Sequence, residues 1–305
     1  MPFALAQRAA RLLAFGLVAG CNLQEVTLAD PEDLVVAEIT LRAGERSQIA
    51  FLHRTRSAGA VTVTGARIEV RSEAGSVMTF DSVSETQCID FDGPRPATPV
   101  GSCYRSSPRA FTVQPGQHYT LRITLADGGV LTGETVVPDS LALRRPGSGT
   151  CRLPPDTTLE LSWSRTPGAW VYVAETRLNG IQAALQARGV NIESDRVRLL
   201  GLAISGEDTT LVFPTEFGLF DRGDPDVADA LIAIQGGLPP EVLAEVTVAA
   251  ADRNYVNWER GGQFNPSGVV RIASIRGAGS GTFGSMAPIR FLITTGGVEP
   301  MASCF

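Results

Sequence analysis

Residues 118–137 read His118-Tyr119-Thr120-Leu121-Arg122-Ile123-Thr124-Leu125-Ala126-Asp127-Gly128-Gly129-Val130-Leu131-Thr132-Gly133-Glu134-Thr135-Val136-Val137. From Tyr119 to Leu125 the side chains alternate apolar and polar. That period of two puts Tyr119, Leu121 and Ile123 on one face of a strand. Asp127-Gly128-Gly129 is a hairpin signal, and Val130 to Val137 is the returning strand. Tyr119 is then a core residue whose hydroxyl needs a hydrogen-bond partner.

The same texture extends upstream. Leu34 to Leu41, Gln48 to Leu52, Val61 to Val63, Ala66 to Val70, Val77 to Phe80 and Phe111 to Val113 are short β-branched or apolar runs separated by turn residues. About seven short strands in roughly 110 residues predict an Ig-like or fibronectin-like β-sandwich over 34–138. Pro138 to Thr150 is rich in Pro, Ser, Gly and Arg, so 139–150 reads as a linker. Residues 151–305 read as a second β-rich domain with a few short helices. Its strands are Leu159–Trp163, Trp170–Val173, Arg198–Ile204, Thr210–Phe213, Val246–Ala250, Val269–Ile272 and Ile289–Ile293. Helices are expected at Leu178–Ala187, Asp226–Ile234 and Asp252–Arg260.

Composition removes several functions. The 305 residues carry 26 basic and 32 acidic side chains, a net charge of -6, which argues against nucleic-acid binding through a general basic surface. Every basic residue is arginine, so Schiff-base chemistry and a P-loop lysine are excluded. The two histidines, His53 and His118, read as surface or loop-edge side chains, and no Ser/His/Asp arrangement is suggested. The chain reads as no enzyme, with no catalytic residues and no cofactor.

Residues 1–20 read as a lipoprotein signal peptide. Arg8 and Arg11 supply the positive region, and Leu12 to Ala19 is an apolar stretch too short to span a bilayer. Val18-Ala19-Gly20-Cys21 has the pattern of a lipobox, which makes Cys21 the lipidation site and 21–33 a tether. Acyl chains there would anchor the chain to a membrane. Asn22 follows Cys21 where an Asp would signal inner-membrane retention, so the expected address is the outer membrane, on its periplasmic or surface face. Four cysteines remain: Cys88, Cys103, Cys151 and Cys304. An even number in an exported chain reads as disulfides, and the spacing favours Cys88–Cys103 and Cys151–Cys304.

Other clusters carry weaker signals. Asp221, Asp224 and Asp226 could supply hard oxygen ligands to Ca²⁺, although Asp224 and Pro225 equally start a helix. Trp170, Tyr172, Tyr255 and Trp258 could line a groove for a sugar or peptide, or be ordinary core. Gly277-Ala278-Gly279-Ser280-Gly281 reads either as an anion nest or as a tight loop that buries Phe283.

The order of these features resembles the domain-of-unknown-function 4249 family of bacterial outer-membrane lipoproteins. The residues that carry it are Leu34-Val35-Val36, Val63 to Val70, Pro115 to Ile123 and Leu131 to Pro138. Later come Asn254-Tyr255, Phe264-Asn265-Pro266 and Arg276 to Ser285. The resemblance covers nearly the whole chain after the signal. It implies a binding or accessory protein working with a TonB-dependent receptor in uptake, and it brings no catalytic residues. The alternatives from the sequence are an extracytoplasmic glycan or peptide hydrolase and a structural or adhesive surface protein.

Overall fold

The computed structural model describes residues 33–55, 61–88, 98–193, 195–203, 205–217, 225–260, 271–297 and 301–305. The signal, Cys21, Asp221 and Asp224 lie outside them.

The protein is mainly β, with few short helices. The hairpin at 118–137 is β6 (His118–Thr124) paired with β7 (Val130–Val136), with Leu121 opposite Gly133 and Ile123 opposite Leu131. Upstream are β1 (Val35–Arg42), β2 (Ile49–Arg54), β3 (Arg67–Ser72), β4 (Val77–Val83) and β5 (Ser102–Ser106). Downstream are β8 (Leu143–Arg145), β9 (Thr150–Arg152), β10 (Leu159–Trp163), β11 (Val171–Asn179), β12 (Arg196–Leu202), β13 (Thr210–Phe213), β14 (Leu243–Ala251), β15 (Arg276–Gly277) and β16 (Gly279–Thr294). The helices are α1 (Ile181–Gln186), α2 (Pro225–Ile234) and α3 (Arg253–Arg260).

One sheet runs in the order β12-β11-β14-β16-β1-β2-β5-β4-β3-β6-β7-β15, with β9 also paired to β16. A small sheet, β13-β10-β8, completes the set. The sandwich-like packing arises because the long sheet curls until β7 lies over β16. A Cβ built on Gly133 would stand 3.1 Å from Phe283 Cβ. Three buried polar groups close the seam. The Thr135 hydroxyl donates to Asp252 Oδ2 at 2.6 Å and stands 2.8 Å from Ser285 Oγ, which donates to the Val136 carbonyl at 3.1 Å.

Two tyrosines sit in the core and each takes a backbone N–H from slightly upstream. Gln114 N donates to the Tyr119 hydroxyl at 2.8 Å, and Thr166 N donates to the Tyr172 hydroxyl at 2.9 Å. Each aromatic body fills apolar space while its hydroxyl satisfies a turn N–H, the arrangement of a tyrosine corner. Trp163 meets Tyr172 edge to face with ring centroids 5.3 Å apart, tying the small sheet to the large one.

Several local expectations differ. The glycine-rich segment is neither nest nor loop: Gly277 ends β15, paired with β7, and Gly279 to Gly281 open β16, which pairs in parallel with β1 from Val35–Gly279 to Arg42–Met286. Gly281 has φ +131°, and a Cβ there would strike the Ala37 backbone. The glycine is needed for strand-to-strand contact. Leu178 and Asn179 belong to β11, opposite Ala244 and Leu243, so the helix starts only at Ile181. The apolar run there fits both periods, and cross-strand partners decide it. Arg271 and Ile272 are not in a strand. Leu143–Arg145, inside the stretch read as linker, pairs with β10.

Both disulfides are present: Cys88 bonds Cys103, and Cys151 bonds Cys304, the pairing the spacing favours. Asp33–Phe305 is one compact unit, and β16 belongs to both halves of it: its start pairs with β1 and its end with β14 and β9.

Candidate functional site

A groove of about 690 Å³ lies on the outer face of β12, β11, β14, β16 and β1. Strand alternation builds its floor. On β11, Tyr172, Ala174, Thr176 and Leu178 point into the core, so Glu175 and Arg177 point out. Register then brings distant residues together. Arg177 stands opposite Arg198 on one side and Glu245 on the other; Thr247 lies between Glu175 and Arg290.

The charges are paired but not evenly. Glu175 takes Arg198 Nε at 3.0 Å and lies 3.7 Å from Arg177 Nε. Arg290 pairs with Glu45, and Asn179 Nδ2 donates to Glu245 at 3.4 Å. Arg42 makes no ion pair among the described residues. Its backbone is fixed by Gln48, only 1% exposed, whose amide accepts from Arg42 N at 2.8 Å and donates to the Arg42 and Glu45 carbonyls at 3.1 and 2.8 Å. That clamp sets the β1–β2 turn, and with it the positions of Arg42 and Glu45.

Helix α3 packs against β16. Asp252 is its N-cap: Tyr255 N donates to Asp252 Oδ1 at 2.8 Å. Burial raises the Asp252 carboxyl above its ordinary pKa, opposed by hydrogen bonds from Thr135, Tyr255 and Ser285. The helix sits close to the sheet because a Cβ on Gly284 would lie 2.8 Å from Tyr255 N.

The four aromatics do not gather round one cleft. Tyr172 is core. Trp170 is 48% exposed, with the Arg253 guanidinium 5.2 Å from its ring centre. Trp258 is covered by Arg271 at 4.8 Å. Tyr255 does not line the groove, although the charges of Arg42, Glu175 and Arg198 act on its hydroxyl, which burial first and Glu259 second push far above the usual phenol range.

Beside α3, His53 Nε2 and Arg271 each stand 3.4 Å from Glu38 Oε1. Hydrogen bonding to Glu38 raises the His53 pKa, against a smaller lowering by burial. His118 lies 3.6 Å from Glu134 at the surface. Among the described residues no three His, Cys, Asp or Glu side chains are grouped to hold a metal, and Asp226 lies in the first turn of α2. No helix of the described residues is long and apolar enough to cross a membrane.

Residues 23–173 match the family model described as "Domain of unknown function (DUF4249)". The chain belongs to that family over residues 23–173. The DUF4249 match ends within β11, so Asn254-Tyr255 and the glycine-rich start of β16, quoted above for the resemblance, lie beyond it, and it is shorter than the near-complete coverage expected. No curated protein matches. Among solved structures, a DUF4785 family protein from Legionella pneumophila is similar at 10% identity and TM-score 0.20, over 70% of this chain and 51% of that one. Trypsin-activated alpha-2-macroglobulin from Escherichia coli is similar at 11% identity and TM-score 0.20, over 84% of this chain and 15% of that one. DIP-gamma IG1+IG2 is similar at 10% identity and TM-score 0.19, over 72% of this chain and 91% of that one. The chain thus spans about half of the first of these proteins.

The groove was not foreseen from sequence. Its charged residues lie on strands spread from Arg42 to Arg290, and no motif marks them; only the register unites them.

Proposed function

We propose that the protein is a lipid-anchored, non-enzymatic cell-envelope lipoprotein, a binding or accessory component that works with a TonB-dependent outer-membrane receptor in nutrient uptake. The observation that carries the extracytoplasmic part is the pair of disulfides, because such bonds persist in oxidising compartments. The Val18-Ala19-Gly20-Cys21 sequence supports the anchor. The groove supports a binding role: three of its arginines are held by carboxylates or set against them, a layout suited to recognising charge. The receptor partnership is drawn from the DUF4249 likeness.

Mass spectrometry of native protein tests the anchor. A mature N-terminus at an acylated Cys21 is the expected result, and Cys21→Ala should leave an unprocessed, non-lipidated chain. Unmodified sulfur on a chain that retains residues 1–20 would refute it. Affinity purification from detergent-extracted membranes should bring down a TonB-dependent receptor; its absence under crosslinking would remove the partnership.

A further inference from the structure

We propose that Glu38, His53, Glu259 and Arg271 form a proton-operated latch, which seats α3 and the chain at Arg271 more firmly on β1 in mildly acid than in neutral or alkaline surroundings. The latch depends on neither the lipid anchor nor the receptor.

Its geometry is a run of contacts across four segments. Glu38 on β1 and His53 on β2 are fixed by the sheet, where Glu38 stands opposite Phe51 and His53 opposite Val36. Glu38 Oε1 lies 3.4 Å from His53 Nε2 and 3.4 Å from Arg271 Nη1. Arg271 belongs to no strand, and its guanidinium rests 4.8 Å from the ring centre of Trp258 on α3. Trp258 is 5% exposed, yet its Nε1 has no hydrogen-bond partner among the described residues. The indole is therefore not pinned by its own polar handle, and the cation stacked on it joins it to β1. The first turn of α3 is held separately, by the Asp252 cap and by Asn254 Nδ2, which donates to the Glu134 and Phe283 carbonyls at 2.8 and 3.0 Å. The latch acts on the other end of the helix.

Charge gives the direction. With His53 neutral, two carboxylates, Glu38 and Glu259, face one arginine. Glu259, half-buried in the last turn of α3, makes no hydrogen bond or ion pair among the described residues, and the negative charge of Glu38 acts on it. Arg198, whose positive charge also reaches Glu259, stands 3.0 Å from Glu175. The other charge beside His53 on β2, Arg54, pairs with Asp33 at 3.0 Å, and the β16 residue opposite Glu38 is the neutral Thr282. A proton on His53 sets a second cation against Glu38. A proton on Glu259 removes the repulsion between the two carboxylates. Each step favours the seated helix.

The titrations have the matching sign. Glu38 holds His53 above its ordinary pKa of 6.5, and burial first, then Glu38, holds Glu259 above the usual carboxylate range. A pKa raised in the seated state means that the gain is complete at low pH and is lost as pH rises through the raised value. Glu38, His53 and Arg271 are each partly exposed, so solvent protons reach them.

The test reads tryptophan emission of the purified protein carrying Trp170→Phe, from about pH 5 to about pH 8. Trp258 and the fully buried Trp163 are then the emitters. As pH rises, emission should move reversibly to longer wavelength while far-ultraviolet circular dichroism stays constant. Trp258→Phe should abolish that shift. His53→Gln should move its midpoint to lower pH, Glu259→Gln should move it to higher pH, and the double variant should be flat. Thermal melts check that each variant is folded. Where one is unstable, hydrogen exchange over 253–260 in the unsubstituted protein serves instead, with faster exchange expected at the alkaline end after correction for the intrinsic rate. The proposal is overturned by emission that does not change with pH, by a shift that survives Trp258→Phe or the double variant, or by equal corrected exchange at both ends of the range.

Discussion

Single side chains show where this molecule concentrates its polar energy. Asp252 is 6% exposed and serves at once as the cap of α3 and as acceptor for Thr135. Asp252→Ala should cost about 2–4 kcal/mol, from a lost cap and an orphaned buried hydroxyl, measured by urea denaturation. Asp252→Asn keeps an acceptor for Tyr255 N and should cost less. The burial-raised Asp252 carboxyl also has a pH signature. A folded pKa above the unfolded value means that its contribution is complete below the unfolded carboxyl pKa and is lost as pH rises through the folded one. His53 follows the same sign. Its raised pKa adds stability below about 6.5, the unfolded value, and that stability disappears as pH rises through the folded value. Glu38→Gln should therefore lower the His53 pKa in an NMR titration. An unchanged midpoint would show that Glu38 is not its partner. Neither the Asp252–Thr135 bond nor the His53–Glu38 contact was readable from sequence: Asp252 was read only as a helix start, and His53 as a surface or loop-edge imidazole, because these partners come from other strands.

Elements divide according to whether their cause is local. The hairpin of β6 and β7 was legible in full, since alternation and an Asp-Gly-Gly turn are printed in consecutive residues. The start of β16 was not. Three glycines in five residues look like a loop until the opposing β1 backbone is known. Gly281→Ala places a side chain at φ +131° against Ala37, and should destabilise by about 3 kcal/mol or more, read as a lower denaturation midpoint. Gly147→Ala, with open space around its Cβ position, should be near neutral in the same assay. The groove belongs to the same class of hidden feature. Its arginines lie on four strands, and a strand face is only as informative as the register that aligns it with its neighbours.

The whole molecule is stapled at its far end. Cys151 and Cys304 are 0% and 1% exposed and are 153 residues apart in sequence, and Arg152 exchanges backbone hydrogen bonds with Ala302 and Cys304. A bridge that closes so long a loop is worth about 4–5 kcal/mol in the chain-entropy model. Cys151→Ser with Cys304→Ser should lower the melting temperature by several degrees and expose the C-terminal residues to carboxypeptidase. The even cysteine number and the spacing made this bond legible; the sheet's curl was not legible, because it depends on Thr135, Ser285 and Asp252 meeting across the seam.

The shared strand has a consequence for biogenesis. Val35 begins β1, yet its partner in the parallel pairing is Gly279, most of the chain away. Until that late segment emerges, one side of β1 is an unsaturated β-ribbon flank, open to mispairing with other nascent chains. Such a distant partner also predicts slow closure. Acquisition of native structure should therefore wait for synthesis past Thr294, and polypeptides truncated before Gly279 should accumulate as aggregates in the presence of an intact β6–β7 hairpin.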